Sequence, residues 1–277
     1  MFSRFMNEPS PDRVNFLVVG CQRCGTTWLD AALREHPQVF LPATKQSYYF
    51  DRHLDKGDAW WLERFADAGP DHAAVGEVAT GYTLPQAIPQ MATLVPHAKL
   101  VMTMRHPVER AFSFFQSRRA EQGWSSFEQA LEADPEIIAR GKYIDQIEQL
   151  LTHYPREQVL LLLYDDFASD NAAFLRSVLS FIGVDPTFES SQAGRRRNAA
   201  MFPRLRRALH TVGLKPVLAA LSRSQVGDAV RRANNRRRTD PSTSIAPETR
   251  RRLVDEYRPF NDRLGAFLGR DLSHWNQ

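Results

Sequence analysis

The chain predicts an α/β fold, a P-loop-like central parallel sheet flanked by helices on both faces, and three observations carry that expectation. Apolar runs of strand length alternate with stretches of helical spacing from end to end, the order that crossover connections between parallel strands produce. The run Val159-Leu-Leu-Leu-Leu163 is apolar at every position, as suits a strand covered on both faces. Phe16-Leu-Val-Val-Gly20 passes directly into Cys21-Gln-Arg23-Cys24-Gly25-Thr26-Thr27-Trp28, a glycine-bracketed loop opening a helix that carries Trp28, Leu29, Ala32 and Leu33 at helical spacing.

A chain of 277 residues, 43% hydrophobic and 25% charged, can bury a sizeable core. It reads as a single domain, with an α/β core over 13–194, a basic helical segment over 195–245 and a C-terminal helix over 246–277 packing on the core. The formal charge of +4 and a sequence pI near 9.2 point to an anionic ligand or surface, though not to nucleic acid. Cys21 and Cys24 are the only cysteines, so no disulfide framework exists and a reducing cytoplasm is the expected location. Packing beneath the loop is the favoured role for this pair over a redox couple or half of a zinc site, since no nearby His pair completes one. The first thirteen residues lack a signal-peptide core, and no run approaches the roughly 20 apolar residues of a membrane span.

The loop between the first strand and helix is an anion cradle. Free backbone N–H groups and the positive end of the helix dipole favour a phosphate or sulfate there. The spacing Gly20-x4-Gly25 is that of a P-loop, but Thr26 stands where the lysine should follow. The cation lies inside the loop instead, as Arg23, whose guanidinium suits bidentate binding of oxyanions.

Further along, His36 to Pro42 reads as a short second strand bounded by prolines. It leads into Lys45-Gln46-Ser47-Tyr48-Tyr49-Phe50-Asp51-Arg52-His53, a mixture suited either to a substrate cleft at a strand exit or, for the three rings, to the core. Trp60, Trp61, Leu62 and Phe65 suggest a short amphipathic helix. Residues 73–82 form another strand with Glu77 embedded among small and apolar residues. Such an acid is either a general base with a raised pKa or a partner of Arg23 or Arg105. Residues 98–104 form a strand ending at Arg105-His-Pro107-Val-Glu-Arg110-Ala-Phe-Ser113, a second cationic cluster in which Arg105 and Ser113 converge on one anion. From Ser126 to Tyr154 the pattern is helical with a break near Asp134-Pro135, and a helix carrying Phe174, Leu175, Val178 and Leu179 follows the strand at 159–163. Between Arg195 and Arg238 thirteen basic residues face one acid, Asp228. This stretch is open to four readings: a polyanion site, a peripheral membrane contact, a lid, or a solvated helix pair. The last segment, Ala246 to Trp275, reads as a helix that packs on the sheet.

With both cationic loops in hand, the chain resembles the sulfotransferases that use 3'-phosphoadenosine 5'-phosphosulfate (PAPS). The loop Gly20 to Leu29 looks like the family's 5'-phosphosulfate loop, and Arg105 to Phe114 looks like its 3'-phosphate motif. Asp165-Asp166-Phe167 with Phe181-Ile-Gly183-Val, and Leu272-Ser-His-Trp275, resemble the rest of that fold in the right order. The resemblance implies that Arg23, Cys24, Gly25, Thr26 and Thr27 hold the 5'-phosphosulfate and that Trp28 stacks on the adenine. It places Arg105 and Ser113 on the 3'-phosphate, with Arg197 and Asn198 closing over the cofactor. No metal is required by it.

The segment Lys45 to Phe50, followed by Lys56-Gly57-x-x-Trp60-Trp61, looks like that of the family's glycan-type branch, where a Glu commonly serves as base. Here the position holds Gln46, and a neutral amide cannot take the proton. Glu77 and then His53 are the candidate bases, while Gln46 orients the acceptor or binds sulfate, and Arg23 and Lys45 neutralise the transferred group. The implied reaction moves a sulfuryl group to a hydroxyl or amine of a carbohydrate, a lipid-linked glycan or a small natural product, releasing adenosine 3',5'-bisphosphate. Two other readings compete. A P-loop phosphotransferase is disfavoured by Thr26, and a non-catalytic polyanion or membrane binder leaves both cationic strand exits unexplained.

Overall fold

The computed structural model describes residues 10–193 and 244–277. Its centre is a five-stranded sheet of order β2-β3-β1-β4-β5 in which every pairing is parallel. The strands are β1 (Phe16–Gly20), β2 (Val39–Phe40), β3 (Ala74–Val78), β4 (Lys99–Met104) and β5 (Val159–Leu163). Around them run α1 (Thr26–Leu33), α2 (Tyr49–Arg52), α3 (Asp58–Leu62), α4 (Ile88–Leu94), α5 (Pro107–Gln122), α6 (Phe127–Ala133), α7 (Glu136–Ala139), α8 (Tyr143–Leu151), α9 (Tyr164–Ser169), α10 (Asn171–Ile182) and α11 (Pro247–Leu268).

The central strand shows why the sheet must be covered on both sides. Successive side chains of β1 point to opposite faces. Leu17 and Val19 enter a core shared with Trp61, Met91, Ile147 and Trp275, whereas Phe16 and Val18 enter one shared with Leu29, Leu33, Val178 and Leu179. All five residues of β1 and of β3 are buried. Gly76 is required by this close packing, because a Cβ there would run into the carbonyl oxygen and ring of its neighbour Phe16 on β1.

Three elements depart from the expected boundaries for local reasons. The second strand pairs only at Val39–Phe40, between Pro37 and Pro42. The helical stretch from 126 to 154 breaks twice, after α6 at Asp134 and again at Gly141, where the Tyr257 ring packs so closely that a Cβ would lie 2.7 Å from it. The C-terminal helix ends at Leu268, followed by Gly269 in the left-handed region (φ 62°), and Trp275 is carried by a separate 3-10 turn, Ser273–Asn276. Among the described residues no helix is long and apolar enough to cross a membrane. The basic stretch from Arg195 to Arg238 lies outside the described residues.

Candidate functional site at the C-terminal edge of the sheet

The loop after β1 is a tight turn, with the Cys24 N–H donating to the Cys21 carbonyl at 3.2 Å. Arg23 sits at its outer corner with φ 70°, a left-handed conformation uncommon for a side chain with a Cβ. Gly25, at φ 91°, forms the N-cap of α1, so the first turn of that helix presents its free N–H groups toward the loop. The Lys45 ammonium reaches across from the segment after β2 and donates to the Thr27 hydroxyl at 3.2 Å and the Thr26 hydroxyl at 3.5 Å. The lysine missing from the P-loop spacing is thus replaced in space by two cations, Arg23 and Lys45.

The second cationic cluster closes on the first. Arg23 Nε donates to Ser113 Oγ at 3.1 Å, joining the loop after β1 to α5. The Arg105 guanidinium stacks over the Tyr164 ring at 4.9 Å, and the same ring lies 3.4 Å from where a Cβ on Gly25 would be. Arg105 has Glu109 at 4.0 Å, but Glu109 is shared with Arg250 at 2.6 Å. Neither Arg23 nor Lys45 has an ion-pair partner among the described residues. Burial, then the nearby Arg105 charge, lowers the Arg23 pKa. Burial likewise lowers that of Lys45, with Arg23 adding to it. Both groups therefore gain from an anion placed between them.

Trp28 is half-buried on α1, its ring 4.8 Å from that of Phe167 and its Nε1–H donating to the Gln192 carbonyl at 3.2 Å. The segment 190–192 that supplies this carbonyl is clamped by Glu35 at the other end of α1. Its carboxylate accepts from Ser190 Oγ at 2.7 Å and from Ser191 N, Ser191 Oγ and Gln192 Nε2 at 2.6 Å each. Burial acts against the charged form, but these hydrogen bonds outweigh it and lower the Glu35 pKa to about 2.

Two sequence expectations need correction. Glu77 is wholly buried and pairs with neither Arg23 nor Arg105. Its Oε1 accepts from the Ser47 N–H, and its Oε2 accepts from Trp61 Nε1 at 2.9 Å, Ser47 Oγ at 3.0 Å and the Tyr82 hydroxyl at 2.9 Å. Burial raises its pKa against these donors. With its lone pairs taken up and no solvent contact, it organises the segment after β2 and is not placed to receive a proton from an acceptor. The Cys24 side chain is the second correction. It is 1% exposed and packs under the loop, and its N–H donates to the Cys21 carbonyl. Tyr49 and Phe50 are core residues, Tyr49 stacked on Trp61 and Phe50 edge-on to it.

Gln46 Oε1 accepts from the Thr80 hydroxyl at 3.5 Å, and His53 is partly exposed against Trp60. Between them in sequence lies a carboxylate that the sequence reading passed over. Asp51 has a side chain 3% exposed, one oxygen with no hydrogen-bond partner, and a pKa raised by burial. It rests on Gly81, whose missing Cβ makes the room. The strand-exit segment Thr80 to Thr83 therefore touches Gln46 through Thr80, Asp51 through Gly81 and the start of the anion loop through Thr83, which packs on Gly20. The glycine after an apolar strand was the available signal. Arg197 and Asn198 lie outside the described residues.

A sulfotransferase domain family model matches residues 13–202. The chain belongs to the sulfotransferase family. Among curated relatives, this sulfotransferase is 26% identical over 282 residues to heparan sulfate glucosamine 3-O-sulfotransferase 3A1 of Mus musculus, covering 96% of this chain and 66% of that protein. It is 27% identical over 205 residues to the bifunctional heparan sulfate N-deacetylase/N-sulfotransferase 2 of Homo sapiens, covering 65% of this chain and 23% of that one. The chain thus spans between about a quarter and two thirds of these two relatives. In three dimensions it matches a sulfotransferase from Alicyclobacillus acidocaldarius with a TM-score of 0.71 and 24% identity, over 96% of this chain and 99% of the other, which shows the same fold.

Proposed function

We propose that this sulfotransferase moves a sulfuryl group from PAPS to a hydroxyl or amine of a glycan. The observation that carries the reading is the contact of Arg23 with Ser113, which joins a strand–loop–helix anion cradle to a second cationic strand exit. A nucleotide with anionic groups on both its 5' and 3' sides matches two such cradles better than a linear triphosphate does. The residues fit such a molecule: Arg23, Lys45, Thr26 and Thr27 face its 5' side, Arg105 and Ser113 its 3' side, and Trp28 stands at the adenine position that the family pattern implies.

When bound, PAPS supplies a sulfuryl group activated by a phosphate leaving group. Arg23, Lys45 and the loop N–H groups neutralise the charge that builds on the bridging and sulfuryl oxygens, and fixed donors of this kind are worth about 3 kcal/mol each. Gln46 and Thr80 orient the acceptor. With Glu77's oxygens taken up by four donors, Asp51 and His53 are the titratable side chains left in the same segment to take the acceptor's proton. Asp51 keeps one oxygen without a hydrogen-bond partner, its other lying 3.6 Å from Arg52 Nε, and His53 is partly exposed. The glycan class follows from the curated relatives, whose names specify heparan sulfate; lipid-linked glycans and small natural products are the other acceptors the cleft is proposed to take.

Transfer of radiolabelled sulfate from PAPS to a panel of desulfated heparan fragments, simple amino sugars and phenols tests this directly. Label in a glycan fragment supports the reading. Label in phenols alone would move the acceptor class, and label in no acceptor at all, with PAPS intact, would sink it.

A further inference from the structure

A carboxylate that the proposed reaction does not use lies at the end of α1 away from the anion loop. The hydrogen bonds of Glu35 come from one turn, Ser190 to Ala193, which the Ala193 N–H closes by donating to the Ser190 carbonyl at 2.9 Å. Glu35 has no ion-pair partner among the described residues, so neutral donors hold its charge. The turn belongs to no helix or strand. α10 ends at Ile182, and residues 183–193 are irregular. Their place is set from outside, by the stretch from Trp28 to Gln38. The Asp185 carbonyl has His36 Nε2 at 3.0 Å, the Asp185 N–H donates to Gln38 Oε1 at 2.9 Å, and the Phe188 ring lies 4.7 Å from that of His36.

Gln192 connects this clamp to the site. Its side-chain Nε2 donates to Glu35 Oε1 at 2.6 Å, and its main-chain carbonyl accepts from Trp28 Nε1 at 3.2 Å. An indole N–H is a donor only, so in a half-buried ring a fixed acceptor sets the ring's orientation. The clamp in turn needs a carboxylate. Oε1 accepts from Gln192 Nε2 and Ser191 Oγ, and Oε2 accepts from Ser191 N and Ser190 Oγ. A hydroxyl can turn and accept, but an N–H cannot. A glutamine at this position would therefore set its NH2 group against one N–H donor whichever way the amide is flipped. Burial opposes the charge, but the hydrogen bonds bring the Glu35 pKa down to about 2, and the clamp is charged at neutral pH.

We propose that Glu35 and Gln192 are positioning residues for the nucleobase: the carboxylate fixes the Gln192 carbonyl, the carbonyl fixes the Trp28 indole, and the ring so held stacks on the base. The inference rests on the nucleotide reading given above and divides the hold on that ligand into two independent parts. Its anionic groups depend on Arg23, Lys45 and Arg105 at the sheet edge. Its base depends on a carboxylate that acts only through other residues. The physical effect is preorganisation, because a ring ordered before the ligand arrives has less freedom to lose on binding. A ligand without a base gains nothing from it.

The test uses the full chain and begins without ligand. In the isotope-labelled protein the five tryptophans give five indole N–H signals, and Trp28→Phe identifies that of Trp28. Glu35→Ala should move this signal and speed its exchange with water while the others stay in place, which a general loss of structure would not do. Affinity for adenosine 3',5'-bisphosphate, measured by calorimetry, should fall by about tenfold in Glu35→Ala, a factor within what one stacked base supplies. A sugar 3',5'-bisphosphate with hydrogen in place of adenine should bind wild type and variant alike. In a Trp28→Ala background Glu35→Ala should change affinity no further, since its effect passes through the ring. Should Glu35→Ala fail to fold, Gln192→Ala, which cuts the side-chain link and keeps the carbonyl, must give the same pattern. An unmoved Trp28 signal, equal losses for both bisphosphates, or losses that add in the double variant would overturn the proposal. Wild-type protein that binds neither bisphosphate contradicts the proposed function, and the indole signal, which needs no ligand, then decides by itself whether Glu35 holds Trp28.

Discussion

Arg23 and Ser113 are 90 residues apart in the chain and 3.1 Å apart in the fold. The first stands in the loop after β1 and the second two helical turns into α5, which follows the adjacent strand β4. Neighbouring parallel strands bring both loops to the same edge of the sheet, and the contact joins the two cationic loops.

Arg23→Ala should keep the fold and lose about 10²–10³ of kcat, the loss seen when a charge-stabilising donor is removed. Arg23→Lys should restore little, because a point charge does not reproduce the guanidinium fork. Circular dichroism and steady-state kinetics on the three proteins check this, and near wild-type kcat for Arg23→Ala contradicts it.

Arg105→Ala should discriminate between nucleotides. Affinity for adenosine 3',5'-bisphosphate should fall by about tenfold or more while affinity for 5'-AMP changes little, since only the former presents a 3'-phosphate. Equal losses for both ligands would place Arg105 elsewhere.

Glu77→Ala leaves the Trp61 and Ser47 N–H donors buried without an acceptor. At about 1–3 kcal/mol for each of these two buried donors left unmet, chemical denaturation should report a loss of at least about 2 kcal/mol. The wild-type group, with its pKa raised by burial, contributes stability that is present at acid pH and lost as pH rises through the folded value. Glu77→Gln should remove that alkaline-side decline.

Two acid-side losses should separate. Burial lowers the His106 pKa to about 4, so the stability it contributes is present above its unfolded value near 6.5 and is lost as pH falls toward 4. Glu35, lowered to about 2, contributes stability above 4.5 that is lost between there and 2. Glu35→Gln should flatten the lower limb only, and it should red-shift Trp28 fluorescence as the Gln192 carbonyl loses its anchor. A Tm profile identical to wild type below pH 4.5 would contradict this.

Asp51→Asn should lower kcat by about 10²–10⁴ with little change in nucleotide affinity. The acid limb of the wild-type rate profile should lie above the ordinary carboxylate range, following the upward shift that burial gives Asp51. If His53→Ala is the damaging variant instead, the proton goes to the imidazole.

The architecture was legible because each strand here is a short local run with its own signal, and parallel order follows from alternation with helices. The loop between β1 and α1 was legible for the same reason, since Gly20, Arg23, Gly25 and Thr26 lie in one short run. Glu77 was misread because its four hydrogen bonds come from Ser47, Trp61 and Tyr82, and only folding places those three residues around one carboxylate. Asp51 was overlooked in Phe50-Asp51-Arg52, where it reads as a polar helix residue; its burial depends on Gly81, which lies after another strand. Arg110 looked like part of the cationic cluster, yet its side chain is fully buried and its Nη2 donates to the Ile137 carbonyl, so its charge does not face the loop.

The measurement that bears most directly on the central claim is a thermal-shift titration with adenosine 3',5'-bisphosphate, run beside 5'-AMP and ATP with and without magnesium. A ligand of the native state stabilises it by about 2.7 kcal/mol at a hundredfold excess over Kd. The two-cradle site predicts a rise in Tm that is independent of magnesium and specific to the 3'-phosphorylated nucleotide. A magnesium-dependent rise with ATP, and none with adenosine 3',5'-bisphosphate, would contradict it and make the loop that of a phosphotransferase.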